Sequence, residues 1–202
     1  MSLGADYFDE LYARRDDPWR LEQRWYERRK RALTVAMLPT ERVGSILEIG
    51  CSVGMLTADL AARTDRLVAV DVSPKAIAIA RERLTGQGQG HVEFEVMQVP
   101  REWPEGLFDV VVISEVGYYL EEPELVALID ASASSLTPTG VIVACHWRHP
   151  VTDYPLSGDR VHDVIARSQR LRLLGAYVDD DFRLDVFARP GSTSVAHHEG
   201  LV

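Results

Sequence analysis

The segment Leu47-Glu48-Ile49-Gly50-Cys51-Ser52-Val53-Gly54 sets two glycines four residues apart behind an acidic residue. Small residues let the backbone approach a ligand, and a helix start offers unpaired N–H groups to an anion. The spacing is ExGxxxG, not GxGxxG, so the glycine that a dinucleotide pyrophosphate needs is missing. Asp71 closes the next apolar run, Leu67–Val70, and is followed by Val72. A carboxylate at that place can accept hydrogen bonds from both hydroxyls of a ribose. Ser73 already supplies the cap that the following helix needs, which leaves Asp71 for a ligand. Gln98 and Val99 follow the third apolar run. A side-chain amide beside a backbone N–H suits the amino edge of an adenine.

A second group of residues could act on a substrate. Glu115, Tyr118 and Tyr119 follow the run Val110–Ile113, and His146-Trp147-Arg148-His149 follow Val141–Cys145. Glu115 is expected to line a crevice beside both cofactor and acceptor. His146 is expected to project from a strand end and act as general base, because imidazole titrates in the useful range. Glu115 and Tyr118 are the other catalytic candidates. No metal site is expected, since His146 and His149 lack a carboxylate or thiol partner at ligand spacing.

Positioning these residues requires alternating strands and helices. The apolar runs predict strands over 45–49, 67–70, 92–97, 108–114, 141–145, 171–178 and 182–188. Helices are expected over 54–63, 73–84, 123–135 and 158–169, with a loop over 86–90. This alternation predicts an α/β fold, a doubly wound seven-stranded, mostly parallel sheet of Rossmann-like type. The turn Asp179-Asp180-Asp181 is too short for a crossover, so the last strand should run antiparallel. Residues 6–37 read as helical, with Asp17 as cap and Pro18 opening a helix. The domain reading is an N-terminal helical lid over 1–40, a ligand-binding core over 41–190 and a disordered tail over 191–202.

Composition narrows the partners. The chain has 202 residues and a formal net charge of −9. That balance argues against nucleic acid and against an anionic membrane surface. The two cysteines, Cys51 and Cys145, have no CxxC spacing and read as buried free thiols. There is no apolar run of about 20 residues and no signal-peptide pattern, so a cytoplasmic protein is expected.

From Ser45 to Ala144 the chain resembles the class I S-adenosylmethionine-dependent methyltransferases. The resemblance implies S-adenosylmethionine as cofactor, held by Glu48, Gly50, Gly54, Asp71 and Gln98, with Cys51, Ser52, Val72, Val99 and Glu115 alongside. Ser52 stands where that family usually has its middle glycine, and Gln98 where it more often has aspartate. A narrower resemblance is to NodS-like methyltransferases. It rests on Asp16-Asp17-Pro18-Trp19-Arg20, Tyr26-Glu27-Arg28, Glu48-Ile49-Gly50-Cys51, Glu115-Val116 and Tyr118-Tyr119-Leu120-Glu121. It implies N-methylation of a deacetylated amino sugar of a chitooligosaccharide, with N-terminal helices that bring Trp19 near the cofactor. His146-Trp147-Arg148-His149-Pro150 departs from that family, in the loop that carries acceptor choice. The expected activity is therefore methyl transfer to N or O of a small molecule, with an amino sugar or glycoside favoured. Two alternatives stay open: a nicotinamide-dependent oxidoreductase on the same architecture, and a non-catalytic cofactor-binding scaffold. The sequence gives neither the exact acceptor nor the oligomeric state.

Overall fold

A computed structural model of the chain describes residues 2–86 and 90–202. The centre of the loop expected over 86–90 lies outside those residues. Among the described residues, seven strands form one sheet: β1 (Val43–Ile49), β2 (Thr64–Asp71), β3 (Val92–Val96), β4 (Phe108–Ser114), β5 (Leu136–Trp147), β6 (Arg172–Val178) and β7 (Phe182–Ala188). Their order is β3-β2-β1-β4-β5-β7-β6. The first five pair in parallel, and β7 runs antiparallel between β5 and β6. The order reverses between β1 and β4, which puts a ligand crevice at their carboxyl ends.

The helices are α1 (Ala5–Arg14), α2 (Trp25–Ala36), α3 (Met55–Ala61), α4 (Pro74–Leu84), α5 (Glu122–Ser134), α6 (Gly158–Ala166) and a final turn, α7 (Val195–His198). Side chains of the central strands alternate between two cores. Leu47, Val111, Ile113 and Ile142 pack with Leu125, Leu128 and Ile165 of α5 and α6. Ile46, Val110, Val112 and Val143 pack on the other face with Leu60 and Leu38. Burial on both faces explains the unbroken apolar run of β4. Each such side chain contributes about 1.5–3 kcal/mol on leaving water.

Three elements differ from expectation. Asp17 caps no helix: Oδ1 accepts from Leu21 N at 2.9 Å within a turn, and α2 begins only at Trp25. Residues 191–202, expected without regular structure, hold the turn α7, where the Ser194 hydroxyl accepts from His197 N. β5 runs past Cys145 to Trp147, because its ladder with β7 continues through His146–Arg183 and Trp147–Phe182.

Candidate active site

A cavity of about 580 Å³ opens at the carboxyl ends of β1, β2, β4 and β5, flanked by α1, α2 and the turn that carries Trp19. Its floor is the loop after β1. Gly50 has φ +74°, and a Cβ there would stand 2.2 Å from Cγ2 of Val116. Only glycine meets both demands. The Gly50 and Cys51 amides donate to the Val70 carbonyl at 2.8 and 3.0 Å, which ties the loop to β2.

Asp71 holds the same loop from the other side. Its Oδ2 accepts from Ser52 N and its Oδ1 from Ser73 N, both at 2.9 Å. Burial pushes its pKa up, and the backbone bonds from Ser73 and Ser52 pull against that. Each oxygen keeps further lone-pair capacity on the cavity wall, as a diol ligand requires. Glu48 is also buried on this wall, and its Oε2 has no hydrogen-bond partner among the described residues. Burial raises its pKa to about 8, with Thr57 opposing and Asp71 adding to the rise.

The far wall carries a second charged group. Lys30 Nζ lies 2.6 Å from Glu115 Oε1 and 3.1 Å from Glu27 Oε2. Burial works against the ammonium, but Glu115 and Glu27 outweigh it and the pKa rises. Glu115 Oε2 accepts from Trp147 N at 3.0 Å and from the Tyr118 hydroxyl. Its backbone sits at φ +58°, a conformation uncommon outside glycine. Tyr154 stacks on Tyr118 with ring centroids 4.9 Å apart.

Most of the residues expected at a site meet here. Glu48, Gly50, Cys51, Ser52, Asp71 and Val72 line one half of the cavity, and Gln98 and Val99 its edge. Trp19 lines it from a turn, edge-on to Tyr12. Glu115 and Tyr118 line the other half. Two residues do not fit their expected places. Gly54 is off the cavity: at φ +78° it starts α3, and a Cβ would press on Ala80 of α4 at 3.0 Å. His146, expected as the base, is fully buried behind the wall. It lies inside β5 rather than after it, on the same sheet face as Ala144, and meets α6 instead of the crevice. Burial first, then the neighbouring His162 and the Lys30 ammonium, hold its pKa well below the usual imidazole range.

The charged loop after β5 is a clasp. Arg148 Nε bonds Asp159 Oδ1 at 2.9 Å, its amide bonds the Asp181 carbonyl at 2.9 Å, and His149 Nε2 pairs with Asp181 Oδ1 at 2.9 Å. Sequence reasoning missed Lys30 and Tyr12. Lys30 sits in the run Trp25-Tyr26-Glu27-Arg28-Arg29-Lys30-Arg31, which reads as a solvated helix face. Its contact with Glu115, just beyond the end of β4, distinguishes it from its neighbours.

Residues 8–153 match the family of Nodulation protein S, NodS. The chain belongs to the NodS family. Nodulation protein S of Rhizobium tropici is 31% identical over 189 residues, 89% of this chain and 78% of that protein. The crystal structure of N-methyltransferase NodS from Bradyrhizobium japonicum WM9, in complex with S-adenosyl-L-homocysteine, superposes with TM-score 0.82 at 27% identity, over 92% of this chain and 98% of that one. A Pseudomonas syringae chain provisionally termed a methyltransferase is 43% identical, with TM-score 0.72, over 82% of this chain and 100% of that one. This NodS-family chain is an S-adenosylmethionine-dependent methyltransferase with a small-molecule methyl acceptor. The oxidoreductase and scaffold alternatives are set aside. The residues present fit the cofactor: a close-approach glycine at Gly50, a carboxylate with spare acceptors at Asp71, and an unpartnered buried carboxylate oxygen at Glu48.

Proposed function

We propose that this chain N-methylates a small-molecule amine, with the amino group of an amino sugar as the favoured acceptor. The observation that carries this reading is the Glu27–Lys30–Glu115 cluster on the cavity wall. Two carboxylates facing one ammonium leave a formal charge of −1, which favours a cationic acceptor. The described lining of the cavity contains no histidine. A hydroxyl acceptor needs a strong base in place, whereas an amine has only to lose a proton before it attacks. The tyrosines 118, 119 and 154 add aromatic faces against which the apolar face of a sugar can lie.

In this reading Gly50, Cys51, Ser52, Asp71 and Val72 hold the cofactor, with Glu48 beneath it and Gln98, Val99 and Trp19 at its edge. Asp71 takes the ribose hydroxyls. The cofactor, when bound, supplies an electrophilic methyl group. The protein does the rest by position. Glu115 orients the acceptor nitrogen and accepts its proton, and Lys30, Tyr118 and the Trp147 amide hold that carboxylate still. Residues 1–40 form the lid that keeps water out. Both cysteines are free and buried, which is compatible with a reducing, cytoplasmic setting.

The test supplies methyl-labelled S-adenosylmethionine with a chitooligosaccharide carrying one free amino group, its fully acetylated form, and a panel of simple amines and alcohols. Label in an N-methyl product from the amine substrates alone is the expected result. Label on the acetylated sugar or on alcohols, with none on amines, would reject the amine reading.

A further inference from the structure

Behind the acceptor wall lies a polar chain that the reaction described above does not use. The Gly117 amide donates to His146 Nε2 at 3.1 Å. A backbone N–H can only donate, so Nε2 carries the lone pair and the proton of neutral His146 lies on Nδ1. That nitrogen faces His162 Nε2 at 3.1 Å, which must then accept. The proton of His162 is thereby placed on Nδ1, and it donates to Asp185 Oδ2 at 2.8 Å. Arg183 Nε donates to the same oxygen at 2.8 Å. One amide at the wall therefore fixes the tautomer of two buried imidazoles in sequence.

The chain joins β7, α6 and β5 to the 3-10 turn Gly117–Tyr119 that follows β4. His146, His162 and Asp185 are all fully buried. An apolar trio of equal volume would generally stabilise a core as well or better, so a buried polar network points to geometry rather than stability. Gly117 is fitted to the contact: a Cβ there would stand 3.0 Å from His146 Nε2 and 2.5 Å from Cγ1 of Val161. The turn begins two residues after Glu115 and carries Tyr118, whose ring meets His146 edge-on at 5.4 Å.

We propose that Asp185, His162 and His146 form a positioning relay that sets the Gly117–Tyr119 turn and, through it, the acceptor-facing groups of Tyr118 and Glu115. His146 is then a positioning residue and not the base. The part of this inference that concerns the acceptor rests on the amine reading; the part that concerns the turn does not.

Two variants separate the relay from simple core filling. The amide oxygen of His146→Gln can reach the place of Nε2 and accept from Gly117, whereas His146→Asn ends near the place of Nδ1. Both should bind S-adenosylhomocysteine like the native protein in calorimetry. With the mono-deacetylated chitooligosaccharide, His146→Asn should raise KM about tenfold, the scale expected when a buried donor loses its acceptor, with kcat less affected. His146→Gln restores the acceptor for Gly117 but not the Nδ1 donor to His162, so it should recover part of the loss. Equal kinetics in all three proteins, or equal loss of S-adenosylhomocysteine binding in both variants, would overturn the relay. If the native protein does not methylate this probe, the amine reading fails by itself, and two further measurements decide the turn. Nitrogen NMR of labelled histidine should show His146 and His162 neutral with the proton on Nδ1. Hydrogen exchange at the Gly117 amide should be slow in the native and His146→Gln proteins and faster in His146→Asn. A proton on Nε2 of His146, or unchanged exchange in His146→Asn, would refute the assignment.

Discussion

The Tyr12 hydroxyl lies 2.7 Å from the Ser52 hydroxyl. This contact joins α1 to the loop that Asp71 also holds, through Ser52 N. Ser52 occupies a position with φ +51°, so the side chain that replaces a glycine is used to fasten the N-terminal helix.

Tyr12→Phe keeps the buried ring and its contact with Trp19 but removes the hydroxyl pair. The loss of about 0.5–1.5 kcal/mol should lower the melting temperature by roughly 2–4 °C per kcal/mol in a chain of this size. Limited proteolysis around residues 13–24 should quicken, and S-adenosylhomocysteine should protect less well than in the native protein. Unchanged melting and cleavage would show that the pair does not hold the helix in solution.

Asp71→Asn preserves the shape of the side chain but keeps one acceptor oxygen, so either the Ser52 or the Ser73 amide then faces an NH2 group that cannot accept. Charge-assisted bonds to a ribose imply a loss of about 1.5–3 kcal/mol, or roughly ten- to a hundredfold in affinity for S-adenosylhomocysteine. Calorimetry checks this, and native affinity in the variant would remove Asp71 from the ribose site. Asp71→Ala should cost more, because the Ser52 and Ser73 amides then both lose their acceptors.

Glu48 gives the cofactor-free protein a pH dependence of defined sign. Burial raises its pKa from 4.5 to about 8, so the folded chain keeps a proton that the unfolded chain releases. Its contribution to stability is fully present below the unfolded pKa and falls as pH rises through the window from about 4.5 to 8. Glu48→Gln cannot release that proton. The melting temperature of the variant relative to the native protein should therefore climb across this window. A constant difference would mean that Glu48 ionises normally.

Lys30→Met leaves the buried Glu27 and the partly buried Glu115 carboxylates without their shared cation. Breaking a buried pair in this way typically costs about 3–5 kcal/mol, readable from urea unfolding near neutral pH. Adding Glu115→Gln to Lys30→Met should recover much of the stability. If the single variant is as stable as the native protein, the ion cluster is not desolvated.

What could be read from the sequence was local. The run Val110–Ile113 announced a strand buried on both faces, and Gly50, Asp71 and Gln98 announced themselves by their places after strands. What escaped depends on distant partners. His146 looked like a residue beyond a strand because the apolar run stops at Cys145, yet β5 continues where Arg183 and Phe182 pair with it. Lys30 looked solvated because its neighbours in α2 are charged, and no local pattern could say that this one position turns toward Glu115. Pro18 looked like a helix start, but the turn bonds of Asp17 and the later onset of α2 prevailed.

β7 lies between β5 and β6 and supplies Asp185. During synthesis β6 is made before the strand that must separate it from β5. The last strand is therefore an inserted one, and the nascent chain has to keep a gap beside β5 until residues 182–188 arrive. A chain stopped before that point has β5 with an unpaired edge and His162 without its acceptor. The polar chain behind the acceptor wall is therefore complete only once β7 has paired with β5.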